Sequence, residues 1–223
     1  MKLSFVSFFF LLLFTPGFAQ SVKYSYINRF GTNRSLSDLE TVKSEDGYNA
    51  FSNFTNSFSN SASSAFRLDD SYATLDWYFT NLSADTAFHA VRESNTIRIT
   101  GIFKGKKYDN TRAIGDFPWI QEWNNGCSEL VRRGNTNFIY YSINQMDPSM
   151  GMTFKGVFLK EEAIDVNNET VKALHYRISL TGLLEAFWSA DFWFRKSDGR
   201  YIRSVMKSPN GQMVSELVSE TGR

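Results

Sequence analysis

The stretch Ala186-Phe-Trp-Ser-Ala-Asp-Phe-Trp-Phe-Arg195, with Lys196-Ser-Asp-Gly-Arg200 and Tyr201-Ile-Arg-Ser-Val-Met-Lys207 behind it, decides the fold class. Trp188, Phe192 and Phe194 fall in phase at period two, which turns them to one face of a β-strand. Ser197-Asp198-Gly199 is turn chemistry, and a second strand pattern follows directly. A connection this short joins antiparallel neighbours and leaves no room for a crossover helix.

The same grammar extends in both directions. Phe138 to Asn144, Met152 to Lys160, Val171 to Thr181 and Gln212 to Ser219 read as strands, separated by turns at Asp147-Pro148, Asn167-Asn168, Gly182 and Pro209-Asn210-Gly211. Towards the N-terminus, Ser21 to Ile27 alternates through Val22, Tyr24 and Tyr26, and Tyr72 to Thr80 alternates through Leu75, Trp77 and Phe79. Ala87 to Arg92 and Asn95 to Phe103 form a hairpin about Ser94-Asn95, with Gly105-Lys106 as the next turn. The expected architecture is mainly β: a large curved antiparallel sheet or half-barrel with one or two helices packed across its concave face.

One segment breaks the rhythm. Asp116 is a capping residue and Pro118 suits a first helical turn; Trp119, Ile120, Trp123, Cys127, Leu130 and Val131 then recur at helical spacing until Gly134. An amphipathic helix is expected from Phe117 to Arg133, with Gly126 tolerated at about 1 kcal/mol. Residues 28–70 are less regular. Ser37 and Glu40 resemble a capping box, and Phe51, Phe54 and Phe58 stand at helical intervals in a Ser- and Asn-rich run of poor helix propensity. That region reads as a second helix docking on the sheet, or as a surface loop with pinned Phe side chains.

The N-terminus supplies an address. Met1-Lys2, an apolar run from Leu3 to Phe14 and small residues at Gly17 and Ala19 form a secretory signal expected to be cleaved after Ala19. The run is shorter than the roughly 20 residues that span a bilayer. The mature chain, residues 20–223, is expected to be a single half-barrel domain working in the periplasm or outside the cell, with no transmembrane segment once the signal is removed. Cys127 is the sole cysteine, so no intrachain disulfide staples the fold; it reads as a buried apolar residue.

Composition narrows the function. Lys plus Arg is 24 against 23 for Asp plus Glu, with no cationic excess for a phosphate backbone, and nucleic acid is excluded as a partner. Phosphate-loop, dinucleotide, Gly-x-Ser-x-Gly and His-Glu-x-x-His patterns are all missing. The two histidines, His89 and His175, lie in strand patterns without ligand spacing, and the acidic pairs Asp69-Asp70 and Glu161-Glu162 read as solvated edges. No cofactor or metal is expected, and the chain is read as a non-enzyme. What remains is aromatic: 21 Phe and an aromatic share of 16% must fill a core or line a groove.

Asp116-Phe-Pro-Trp-Ile-Gln-Glu-Trp123, the Phe138-Ile-Tyr-Tyr strand ending at Asp147-Pro148, and Phe187 to Arg200 resemble a family of uncharacterised secreted bacterial proteins. Their fold is similar to that of the LolA-like lipoprotein carriers. The resemblance covers roughly residues 72–218, in pattern more than identity. It implies an antiparallel half-barrel whose concave face holds acyl chains beneath a helical lid. Trp119, Ile120 and Trp123 would then belong to the lid, facing Trp77, Phe79, Trp188 and Phe192 on the sheet. The function expected is non-catalytic binding of a lipid, an acylated protein or another apolar ligand. The alternative is an interaction or structural module of the envelope, with a closed aromatic core and a protein partner.

Overall fold

The computed structural model describes residues 21–56, 61–208 and 211–222. The export signal read over residues 1–19, Phe58 and the turn residues Pro209-Asn210 lie outside them. Strands β1 (Ser21–Phe30), β2 (Asn33–Ser44), β3 (Gly47–Asn56), β4 (Ser61–Leu68), β5 (Thr74–Asn81), β6 (Thr86–Glu93), β7 (Thr96–Phe103) and β8 (Lys106–Ala113) precede helix α1 (Trp123–Arg132). Strands β9 (Asn137–Ile143), β10 (Gly151–Val166), β11 (Glu169–Leu180), β12 (Ser189–Arg195), β13 (Tyr201–Ser208) and β14 (Gly211–Thr221) follow it.

All fourteen strands form one open antiparallel sheet in the order β8-β7-β6-β5-β4-β3-β2-β1-β14-β13-β12-β11-β10-β9. The chain meanders from the middle of the sheet to one edge, crosses to the other edge through α1, and meanders back. Its first and last strands therefore meet in the centre, with Tyr24 opposite Glu220 and Phe30 opposite Met213. That crossing lays residues 114–136 over one end of the half-barrel. The hairpins obey local chemistry: Asn167 and Asn168 both take positive φ (51° and 65°), the twist that a two-residue turn between antiparallel strands requires.

The inner face follows the alternation read from the sequence. Phe192 and Phe194 pair in register with Tyr176 and Leu174, and Trp77 with Phe66 and Ala90. Their rings pack from strand to strand; Trp77 meets Phe88 edge-on at 4.9 Å, and Tyr176 meets Phe194 at 5.6 Å. Buried residues of both meanders form one hydrophobic core.

Three expectations are corrected. Within the stretch 28–70 expected to be helix or loop, residues 28–56 and 61–68 form instead the end of β1 and the strands β2, β3 and β4 with their short turns. Phe51 and Phe54, three apart, fall on opposite faces of β3, so their helical spacing reflects two separate environments. The helix is also shorter than expected, beginning at Trp123 instead of Phe117. The preceding segment is extended and bonded as a strand: Ile120 N donates to Tyr141 O at 2.9 Å, Tyr141 N to Pro118 O at 2.9 Å, and Thr74 N to Trp119 O at 2.7 Å. The N-cap is Glu122, whose carboxylate accepts from Asn124 N at 3.0 Å and Asn125 N at 2.8 Å. Finally, β12 begins at Ser189, because residues 182–187 form a 3-10 turn.

Gly126 now has a reason. A Cβ there would run into Ile120 Cγ2, so the glycine lets α1 close on the extended segment before it. The helix is tied to the sheet by Asn125 Nδ2 donating to Thr41 Oγ1 at 2.7 Å, and by Tyr201 N donating to Ser128 Oγ at 2.8 Å.

Candidate functional site

The strand ends sort the half-barrel into a closed and an open end. The segment 114–136 and the hairpins β2–β3, β4–β5, β6–β7, β10–β11 and β12–β13 lie at the closed end. The connections β5–β6, β7–β8, β9–β10 and β11–β12 lie at the other. Between them, against the inner face, is a cavity of about 800 Å³. That is ample for a ligand, since such sites run to roughly 300–1,000 Å³.

One wall of the cavity is aromatic. Phe154 and Trp188 face each other at 5.4 Å, and Trp123 meets them at 4.8 Å and 6.0 Å. The indoles are held in place: Trp123 Nε1 donates to Ser142 Oγ at 3.0 Å, and Trp77 Nε1 to Ser64 Oγ at 3.1 Å. The opposite wall mixes small residues, Ser37 on β2, Ser52 on β3, and Ala62 and Ser64 on β4, with Leu39, Phe54 and Phe66. Volume is left on that side where Ser37, Ser52, Ala62 and Ser64 cluster on neighbouring strands.

The inner end of the cavity is polar. Gln121, Glu122, Asn124 and Ser142 line it. Gln121 is fixed by five bonds: its Nε2 donates to Ile143 O, its Oε1 accepts from Ile143 N, Trp119 Nε1 and Ser142 Oγ, and its backbone N–H donates to Thr74 Oγ1. Glu122 is buried, and desolvation pushes its carboxyl up to about 7 against the downward pull of the two capping N–H groups. The site thus combines a large apolar volume with a few fixed hydrogen-bonding groups, as small-molecule pockets generally do.

The structure gathers Trp77, Phe79, Trp123 and Trp188 around this cavity. Trp119 and Ile120 are buried beside it, in the extended segment that closes the end of the barrel, and do not line it. Phe192 sits deeper, packed between Trp123 at 6.2 Å and Tyr201 at 5.7 Å. The small-residue wall and Glu122 were not singled out from the sequence. Their signal was available in the period-two series Ser37-Leu39-Thr41 and Ala62-Ser64-Phe66-Leu68, whose small members hide the alternation.

The other chemistry-bearing residues lie away from the cavity. His89 and His175 are on the outer face, stacked on Tyr78 at 3.9 Å and on Trp193 at 4.4 Å. His89 Nε2 meets Asp76 at 2.6 Å, whereas His175 lies between Glu162 and Asp191, one carboxylate to each ring nitrogen. Among the described residues no group of three or more His, Cys, Asp or Glu is arranged to hold a metal ion. Cys127 is buried in α1, and burial pushes its thiol well above the ordinary value, opposite to what a nucleophile requires.

A β-barrel-like protein of a domain of unknown function, DUF1849, from Brucella abortus superposes on this chain with a TM-score of 0.64 at 12% identity, covering 91% of this chain and 97% of that one. The two chains share one fold. The half-barrel implied by the sequence resemblance is therefore the architecture observed. An exported protein with a YmcC-like fold from Bacteroides fragilis aligns with a TM-score of 0.37 at 9% identity, over 90% of this chain and 95% of that one. LprF from Mycobacterium bovis aligns at 0.28 and 11%, over 89% and 84%. At those scores neither of the last two bears on the site. No protein-family model matches the sequence, and no curated protein matches it.

Proposed function

We propose that this is an exported, non-catalytic protein that holds a lipid, the acyl part of a lipid-modified protein, or another apolar ligand in the cavity between sheet and α1. The observation that carries the reading is the cavity itself: a volume of about 800 Å³ left beside an aromatic wall. Burying about a dozen methylenes there supplies on the order of 10 kcal/mol gross, before the losses of association. Glu122, Gln121 and Asn124 give the polar end of such a ligand hydrogen-bonding partners at the inner end of the pocket. Trp77, Phe79, Trp123 and Trp188 contact its apolar length.

Native mass spectrometry of protein purified gently from the envelope is the direct test. A mass excess that organic solvent releases as a lipid species, together with displacement of an environment-sensitive dye by fatty acid, is expected. Protein that is ligand-free as isolated and takes up neither dye nor fatty acid overturns the reading.

A further inference from the structure

The large apolar side chains that the fold leaves exposed are not spread evenly over the molecule. Leu183 is 95% exposed, Phe187 80% and Leu82 77%, with Met146, Met150 and Leu184 also open to solvent. All six stand in three connections at the open end, β5–β6, β9–β10 and β11–β12. At the closed end, Phe117 is the one large exposed apolar residue in the corresponding described connections. The cavity opens among these loops: Ser83 and Met146 line it, as do Leu180 and Trp188 on either side of the 3-10 turn that carries Leu183 and Phe187. Apolar residues lifted clear of a mouth in this way are left uncovered among the described residues.

Charge is divided along the same axis, although the whole chain is nearly neutral. The connections at the closed end carry Glu45, Asp46, Asp69, Asp70, Asp116, Glu122, Glu129 and Asp198 against Arg132, Arg133, Lys196 and Arg200. The open end carries Arg34, Lys104, Lys106, Lys107 and Lys207, all exposed and none in an ion pair among the described residues. Asp85, Asp147 and Glu185 are also at this end, and Lys155 already neutralises Glu185 at 2.7 Å. Apolar loop tips ringed by unpaired cations match one surface chemistry, a layer of anionic headgroups over an acyl interior.

We propose that the open end of the half-barrel docks on an anionic lipid bilayer, with the tips at Leu82, Met146, Leu183 and Phe187 entering the headgroup–acyl boundary and Lys104, Lys106 and Lys107 on the headgroups. Docked in this way, the cavity faces the membrane, so a ligand enters or leaves without crossing water. Only this last consequence rests on the proposed lipid-binding function; docking itself concerns the outside of the mouth.

Co-sedimentation of the mature protein with phosphatidylcholine vesicles, with and without phosphatidylglycerol, tests the proposal. Binding is expected on vesicles containing phosphatidylglycerol and is expected to weaken as salt is raised. The double variant Leu183→Asp/Phe187→Asp, altered at two exposed side chains, is expected to lose at least tenfold in vesicle affinity with unchanged circular dichroism and unchanged dye uptake by the cavity. Lys106→Glu/Lys107→Glu is expected to remove the preference for anionic vesicles. Wild-type protein that ignores both vesicles, or a Leu183→Asp/Phe187→Asp variant that binds like wild type, overturns the proposal, including in favour of a protein partner at this face. Vesicle binding by a protein whose cavity takes no lipid would keep the docking face and discard the lipid reading of the cavity.

Discussion

Glu122 serves two structural demands that pull its proton in opposite directions. As N-cap of α1 it accepts two backbone N–H bonds, which favour the carboxylate, but it does so buried, where desolvation favours the acid and prevails. The folded carboxyl titrates at about 7, against 4.5 as its ordinary value. Between those two values the unfolded chain has released a proton that the folded chain keeps, so the stability due to this residue falls as pH rises through the window. The fall is on the order of 3 kcal/mol, at about 1.4 kcal/mol per unit of difference. Glu122→Gln imitates the protonated side chain. It is expected to match wild type near the acid side of the window, and to be the more stable protein above about pH 7 by an amount of that order. Urea midpoints for both proteins on the two sides of the window measure this. An equal fall in both would assign the pH dependence to other groups.

At the scale of elements, β2, β3 and β4 create the cavity by what they omit. Beside Leu39, Phe54 and Phe66, their inner faces carry a cluster of small residues, Ser37, Ser52, Ala62 and Ser64, where β10 and the residue before β12 carry Phe154 and Trp188. Filling that wall should therefore abolish binding without the strain that overpacking causes in a close-packed core, usually about 1–3 kcal/mol. Ser52→Leu/Ala62→Leu is expected to reduce dye and fatty-acid affinity at least tenfold while leaving the urea midpoint unchanged or higher; undiminished binding would move the ligand elsewhere. The same strands show why the sequence was only partly legible. Where the inner residues are large, as in Trp188-Ala190-Phe192-Phe194, period two is plain and the strand, its face and its turn can all be read. On β2 to β4 small residues, Ser37, Ser52, Ala62 and Ser64, interrupt the inner series of Leu39, Phe54, Phe66 and Leu68, so hydrophobic alternation is broken and the Phe51/Phe54 spacing imitates a helix. Strand β8 was missed for a related reason: Lys106-Lys-Tyr-Asp-Asn-Thr-Arg-Ala113 forms an edge, where charge protects against pairing with another chain and obscures the pattern. Trp119 and Ile120 misled in the other direction. They are buried because an extended segment is pinned between Tyr141 and Thr74, and their spacing happens to continue the helical series of α1. Of the candidate site, the aromatic half was readable as composition in phase. The small half and Glu122 were not, because small size marks a lining position only once the facing strands are known.

For the whole molecule, the decisive feature is the seam between β1 and β14. Each meander is built from neighbours in sequence, but the two are joined side by side only by pairing the chain's first described strand with its last. Such pairing closes the longest loops in the protein and brings slow folding. The seam is also where the two halves of the core meet. Tyr26 is 1% exposed, its ring lies 5.1 Å from that of Tyr201, and its hydroxyl donates to Tyr201 O at 3.3 Å. Arg29 on β1 reaches Glu216 on β14 at 2.6 Å. Removing the Tyr26 ring should lower global stability by about 3–5 kcal/mol, the range for deleting a buried aromatic side chain. Because one core spans both meanders, the loss should appear everywhere at once. Tyr26→Ala is expected to shift the denaturant midpoint at unchanged slope. Hydrogen exchange should then show amides of β6 and β7 losing protection by the same amount as those of β11 and β12, which are well separated from them in the sheet. Two separated transitions, or protection lost on one side of the seam alone, would show instead that the half-barrel is two independently stable meanders leaning on a weak joint.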